Sequence, residues 1–316
     1  MTATKITEGT VSFHVPAAGK PCKTWYKIIG DLTSSVTPLV TLHGGPGAGH
    51  EYLSPFTDLH TQYNIPIVYY DQIGCGRSTR LPEKNQDETF WTVDLFIKEL
   101  DNLVDHLGLR KSGYHVLGQS WGGMLGGVYA ARNPAGLRKV ILADSPASVP
   151  LMMKGVNELV KHLPADVQRD LEECTREGDF DSDKYKDACM VFYKKHLCRV
   201  DPFPDDVIAS LGNLEEDPTV YGTMLGPSEI LATGSLKDWE GYSTADRIKS
   251  EVLLINGRYD EVQDLAVTPW FHAIPKVKWL HLEKSSHFGQ WEERKRYIKF
   301  VGAFLGSEKA MKEVGF

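Results

Sequence analysis

Ser120 stands in the run Gly118-Gln119-Ser120-Trp121-Gly122, directly after the apolar stretch Tyr114-His115-Val116-Leu117 and ahead of a helix-like segment. Strand, sharp turn and helix in that order form the context in which a serine hydroxyl is exposed as a nucleophile, although the same pattern also occurs in ordinary glycine-rich turns. A serine is a weak nucleophile at neutral pH, so a histidine must take its proton as the bond to a carbonyl forms, and an acid must orient that histidine. In chains built around such a turn the acid and then the base follow in loops that leave later strands. After an apolar run over 252–257 comes Arg258-Tyr259-Asp260-Glu261-Val262, which nominates Asp260 as the acid; Asp264, one helical turn further on, competes with it. After a second run over 277–283 comes Lys284-Ser285-Ser286-His287-Phe288-Gly289, followed by an amphipathic pattern over 290–305, which nominates His287 as the base. Of the 11 histidines, His281 falls inside a strand and His272 in a helical segment, and only His287 occupies the loop that the order requires.

Acyl transfer places negative charge on the former carbonyl oxygen, and losing one fixed N–H donor to that charge costs about 3–4 kcal/mol. One donor is expected from Trp121, the residue after the nucleophile, and another from the loop His43-Gly44-Gly45-Pro46-Gly47. A glycine-rich loop can instead turn the chain or cradle a phosphate, but neither G-x-x-x-x-G-K-S/T nor G-x-G-x-x-G occurs.

The elements that must hold these residues are legible from hydrophobic patterning. Short apolar runs at 38–42, 65–70, 114–117, 139–143, 251–255 and 277–282 are apolar almost throughout, as in strands buried on both faces of a parallel sheet. Between them Val93, Phe96, Ile97, Leu100, Leu103, Val104 and Leu107 recur at helical spacing and stop at Gly108. Strand and helix alternate, so the fold class is α/β. Ahead of them, alternating segments at 10–15 and 23–29 predict an antiparallel hairpin on the sheet edge. The alternation breaks over 146–243, where helical, charge-rich segments at 157–163, 166–177 and 183–200 precede a stretch punctuated by Gly and Pro. This predicts a core of residues 1–145 and 244–316 carrying an inserted helical cap, 146–243, above the carboxyl ends of the strands, where open α/β sheets bind ligands.

Composition sets outer bounds. With 316 residues, 41% hydrophobic and 24% charged, the chain has the makings of a large core. No uninterrupted apolar stretch of about 18 residues is present to span a bilayer. The N-terminal Met1-Thr2-Ala3-Thr4-Lys5 lacks a secretory pattern, so a cytoplasmic location and no membrane partner are expected. Five cysteines, Cys22, Cys75, Cys174, Cys189 and Cys198, have no C-x-x-C spacing and suggest reduced thiols, with neither a disulfide framework nor a metal site. A net charge of −7 argues against nucleic acid as a partner and for a small-molecule or peptide substrate.

The motifs His43-Gly44-Gly45-Pro46-Gly47, Asp71-Gln72-Ile73-Gly74-Cys75-Gly76-Arg77-Ser78 and Gly118-Gln119-Ser120-Trp121-Gly122-Gly123 together resemble the proline iminopeptidase family of α/β-hydrolases. The likeness runs over roughly residues 11–305 and reaches Tyr221-Gly222-Thr223-Met224-Leu225-Gly226-Pro227-Ser228-Glu229 in the cap segment. It implies the α/β-hydrolase fold and a cofactor-independent serine peptidase that removes one N-terminal residue, proline or another apolar one, from small peptides or amino-acid amides. It further implies Ser120, Asp260 and His287 as the triad, Gly45 and Trp121 as the oxyanion pair, and Glu229 with Glu261 as a clamp on the substrate's free amine. Gly44 and Tyr221 are implied to line the same pocket, although a tyrosine at 221 could equally belong to the core. Such a clamp has physical sense, because charge-assisted hydrogen bonds to an α-ammonium contribute roughly 1.5–3 kcal/mol each where water is excluded. One departure is Ile73, where many family members carry arginine; an aliphatic side chain cannot replace guanidinium hydrogen bonds, which puts strict proline preference in question. A competing expectation is an ester or amide hydrolase acting on a small molecule, such as one of secondary metabolism, with the same triad and no need of a free amine. A non-catalytic receptor is the third, disfavoured because it has no use for all of these residues together.

Overall fold

A computed structural model of the chain describes residues 4–306 and 308–315. Eight strands form one sheet: β1 (Ile6–Phe13), β2 (Cys22–Ile29), β3 (Leu39–Leu42), β4 (Ile67–Asp71), β5 (Tyr114–Gln119), β6 (Leu137–Ala143), β7 (Glu251–Gly257) and β8 (Val277–Leu282). Their spatial order is β1-β2-β4-β3-β5-β6-β7-β8; β1 and β2 are antiparallel to their neighbours, and β4 through β8 pair in parallel. The edge hairpin is longer at its start than its alternation suggested, because Ile6 to Phe13 all pair with β2, Ile6 opposite Ile29 and Phe13 opposite Cys22.

The apolar runs are explained by a core on each side of the sheet. Val40 and Leu42, Val116, and Val252 and Leu254 point into one cluster, with Trp91, Phe96 and Trp121. Their chain neighbours Leu39, Leu117, Leu253 and Ile255 point into the other, with Phe56, Tyr297 and Phe304. Each strand is therefore apolar at consecutive positions. The helix Val93–His106 starts where the Thr92 side chain accepts from the Leu95 N–H and lays Leu95, Phe96, Leu100, Leu103 and Val104 on the sheet.

Between β6 and β7 the chain forms the helices Val149–Val160, Ala165–Glu177, Asp183–His196, Asp205–Glu216 and Thr219–Met224. The first begins earlier than its periodicity suggested, because Ser148 caps it by accepting from the Leu151 N–H. The ends of this segment are pinned to each other: Gly241 donates to the Ala147 carbonyl (2.9 Å) and Val149 to that of Trp239 (3.0 Å). The pattern over 290–305 also resolves differently, as Gly289–Glu292 and Arg294–Leu305, with Glu293 non-helical between them (φ −120°, ψ 42°). The interruption turns two consecutive glutamates toward the loop before His287. Glu292 accepts from the Ser286 N–H and Glu293 from the Lys284 N–H and the Ser285 hydroxyl.

The helix Trp121–Ala131 passes so close beneath the sheet that Gly122 touches backbone. A Cβ on Gly122 would lie 2.1 Å from the Leu42 carbonyl oxygen, whereas one on Gly212, in an exposed helix, would meet nothing within 4 Å. Gly122→Ala is therefore expected to lose about 3 kcal/mol or more, or to fail to accumulate as folded protein. Gly212→Ala should gain up to about 1 kcal/mol from its lower unfolded-state entropy, with thermal melts of both variants as the measurement.

Candidate active site

Ser120 sits at the end of β5 with φ 56° and ψ −124°, a left-handed conformation rare for a residue with a side chain. Crowding imposes it: a Cβ on Gly118 would lie 2.0 Å from the Gly122 carbonyl oxygen, so only a residue without a side chain lets the strand turn this sharply into the helix. The strained turn is over-determined by packing, as backbone strain at functional positions requires.

His287 follows β8 and Asp260 follows β7. The His287 Nδ1 donates to Asp260 Oδ1 across 2.7 Å, and both side chains are buried. Asp260 Oδ1 also accepts from the Val262 N–H at 2.8 Å. With its proton on Nδ1, the imidazole keeps Nε2 as a base. Asp264 takes no part in this pair; it accepts from Asn256 Nδ2 at 2.8 Å and lies 3.3 Å from His281.

Ser120 and His287 line one cavity of about 490 Å³, together with Gly44, Gly45, Tyr221 and Glu229. Tyr221 belongs to this wall, donating its hydroxyl to Glu229 Oε1 at 2.8 Å. Asp260, Glu261 and Trp121 lie behind the wall, with Glu261 Oε1 3.8 Å from His287 Nε2. Trp121 opens its helix, so its N–H has no acceptor within that helix. The Gly44 N–H is committed to the Tyr52 hydroxyl (2.7 Å).

Two residues to which the sequence assigned no role tie these loops together. The Tyr52 hydroxyl donates to Gln119 Oε1 (2.6 Å), and Gln119 Nε2 donates to the His287 carbonyl (3.0 Å). Gln119 carried a signal: it is a polar residue at the end of a strand that is otherwise almost wholly apolar. Gln72 makes a second bridge, donating to the His43 carbonyl and accepting from the Trp121 indole. His43 is buried, which pushes its imidazole down to about 4 and keeps it neutral; its Nε2 accepts from the Gln72 N–H. The helix Asp183–His196 contributes as well, because the His196 carbonyl accepts from the backbone N–H groups of both Glu261 and His287.

Ile73 is packed in the core and does not line the cavity, so it does not touch a ligand there. Its N–H is held by buried Glu99, whose carboxyl burial pushes up to about 8. Among the described residues one trio, His50, Glu51 and Asp71, brings possible metal ligands within 4.8 Å of one another. The Asp71 oxygens there are occupied by His50 and by the Arg77 N–H, which hold the turn after β4.

Electrostatically the site is dominated by acids. Burial raises the Glu261 carboxyl well above the usual range, and the charges of Glu229 and Asp260 raise it further. Burial also raises Glu229, against the opposing pull of His287 and the Tyr221 hydroxyl.

Residues 37–294 match the family described as alpha/beta hydrolase fold, and the chain belongs to that family of enzymes. It is 34% identical over 268 residues to the proline iminopeptidase of Saccharolobus solfataricus, covering 84% of each chain. Among solved structures, VinJ matches with a TM-score of 0.90 at 42% identity, over 95% of this chain and 98% of VinJ. The proline iminopeptidase of Mycobacterium smegmatis matches with a TM-score of 0.85 at 34% identity, over 96% and 99%. Within the α/β-hydrolases, this chain is a member of the proline iminopeptidase family.

A carboxyl whose pKa is higher folded than unfolded withdraws stability as pH rises from the unfolded value through the folded one. Glu261→Gln removes that penalty. Its melting temperature should exceed that of the wild type at pH 8 by about 2 °C or more, the shift that ~1 kcal/mol produces in a large domain, and the gap should close toward pH 4. A gap independent of pH would contradict the assignment.

Proposed function

We propose that this enzyme releases the N-terminal residue of small peptides or amino-acid amides through an acyl-enzyme on Ser120, with the substrate's ammonium held by Glu229 and Glu261. The observation that carries the reading is the pairing, at one cavity, of a strained serine and a carboxylate-anchored imidazole with the buried acid Glu229 in the wall and Glu261 behind it, 3.8 Å from the imidazole. Membership of the proline iminopeptidase family supports it. In the first half-reaction Ser120 Oγ bonds to the substrate carbonyl carbon as its proton passes to His287 Nε2, while the N–H groups of Gly45 and Trp121 stabilise the oxyanion. The C–N bond then breaks, and the leaving amine takes the proton from Nε2. Water, deprotonated by the same nitrogen, hydrolyses the ester. Residues 146–243 act as the cap whose helices close the cavity, its ends joined at Ala147 and Gly241. Five free cysteines support a cytoplasmic location; no helix among the described residues is long and apolar enough to cross a membrane.

A second reading, hydrolysis of a small-molecule ester or amide without a free amine, draws on the apolar cap side of the cavity, including Phe180, Met190, Leu211 and Leu214, and on a volume typical of small-molecule sites. The two readings part on blocked substrates.

Ser120→Ala should abolish turnover and covalent labelling by a fluorophosphonate. Glu229→Gln should raise KM for free aminoacyl-nitroanilides about tenfold or more, the worth of ~1.5 kcal/mol of charge-assisted bonding, with a much smaller effect on N-acetylated counterparts. Equal losses on free and acetylated substrates would refute the clamp and favour the second reading.

A further inference from the structure

Asp144 follows β6 and has no role in the chemistry described so far. Its position is costly twice over. The backbone is left-handed, with φ 50°, and its N–H donates to the Ile255 carbonyl of β7 across 2.6 Å. The side chain is fully buried, and no donor reaches either carboxyl oxygen. On the neighbouring loop Asp260 shows the matching defect: its Oδ1 accepts from His287 and Val262, while its Oδ2 is buried with no donor. Asp144 and Asp260 leave the same end of the paired parallel strands β6 and β7, whose loops the Asp144–Ile255 backbone bond ties together, and the Asp260 charge acts on the Asp144 carboxyl. Two carboxylates there would repel each other in a medium that screens little, and would leave three acceptor oxygens without a proton among them. One proton placed between them removes the repulsion and satisfies both partners.

We propose that Asp144 is a positioning residue, kept as a neutral carboxylic acid that donates its proton to Oδ2 of Asp260 and thereby fixes the Asp260 carboxylate in the plane where Oδ1 meets His287. The inference rests on Ser120, Asp260 and His287 acting as a triad. The surroundings favour the neutral form. The titratable groups acting on Asp144 include Asp260 and Glu261 from the loop after β7, Glu292 from the short helix after β8, Tyr297 from the last long helix and Tyr52 from the segment after β3, none of them basic; the basic group of the site, His287, bonds to the other oxygen of Asp260, Oδ1. Burial pushes the Asp144 carboxyl well above the usual range, and the Asp260 charge beside it pushes in the same direction. The arrangement also explains how Asp260 can sit fully buried with only one oxygen on His287, since the Asp144 proton supplies the donor that its other oxygen lacks.

The direct test is infrared spectroscopy of the enzyme at pH 7, wild type minus D144N. A carbonyl band of a protonated carboxylic acid, present in the wild type and lost in D144N, is the expected result; its absence overturns the proposal. Kinetics provide the second arm. D144A leaves Oδ2 without a donor and should lower kcat about tenfold or more with little change in KM. D144N, whose amide can still donate to Oδ2, should restore most of that loss, and a D144N variant as impaired as D144A would show that the Asp144 charge itself is required, against the proposal. Should D144A fail to fold, the spectrum and the D144N kinetics decide alone. Labelling of wild-type Ser120 by a fluorophosphonate separates the two levels: no labelling removes the triad reading, while labelling without the carbonyl band removes only the role given to Asp144.

Discussion

Four carboxyl groups, Asp144, Glu229, Asp260 and Glu261, are gathered around a single imidazole, and the charges acting on the three with raised pKa are those of one another, of Glu292 and of His287. This unbalanced concentration of buried acid is the constraint to which the rest of the site responds. Burying an ionised carboxylate without a partner is prohibitively costly, so such groups hold protons, find donors or await a cation. Asp260 finds its donors in His287 and the Val262 N–H; Glu229 finds one in Tyr221. Among the described residues Glu261 Oε2, like both oxygens of Asp144 and Oδ2 of Asp260, is buried with no donor.

Holding such a cluster together demands a stiff frame, and the frame is built from backbone groups and buried amides, not from ion pairs. The loops after β3, β5 and β8 are joined in series by Gly44, Tyr52, Gln119 and His287. The His196 carbonyl holds the loops of the acid and the base at once, so the helical segment between β6 and β7 helps to set the distance between them as well as walling the cavity. Behind the histidine, Glu292 and Glu293 give up helical continuity to bind the three residues that precede it. Each of these contacts satisfies a buried polar group and positions a reacting one, so stability and geometry are maintained by the same bonds.

What the sequence revealed follows from how local each signal is. The elbow at Ser120 is encoded within five residues by glycines that must touch backbone, and Asp260 and His287 are placed by their order after two apolar strands. Glu229 and Glu261 carry no local signal as a pair, because a charge in a loop reads the same whether solvated or buried; only the family likeness distinguished them. The roles of Tyr52 and of the His196 carbonyl were invisible for a different reason. They depend on contacts across 67 residues for Tyr52 with Gln119, and on a backbone oxygen whose availability no residue type announces. Helix limits shifted where a side chain outcompeted periodicity, as at Ser148 and Glu293. Ile73 shows the converse: a departure visible in the motif proves to be buried away from the cavity, so its aliphatic character acts on packing around Glu99 and not by contact with a ligand.

The acid cluster and the apolar cap wall reinforce each other. In the clamp proposed above, side chains such as Phe180, Met190 and Leu214 would displace water and leave the field of the carboxylates weakly screened, so that an ammonium entering the cavity would meet a strong attraction and a neutral terminus unpaired acids. Selectivity then arises as much from the penalty on the wrong ligand as from affinity for the right one. In the proposed acyl transfer the same field would act on His287, since the imidazolium would be stabilised by Asp260 on one side and, when ionised, by Glu261, 3.8 Å from Nε2, on the other. Too much negative charge would trap that imidazolium and stop it from returning its proton to the leaving amine. The neutral Asp144 proposed above would keep the field within bounds: it would supply a donor to Asp260 without adding a further charge, so that the site could recognise a cation without surrendering its base.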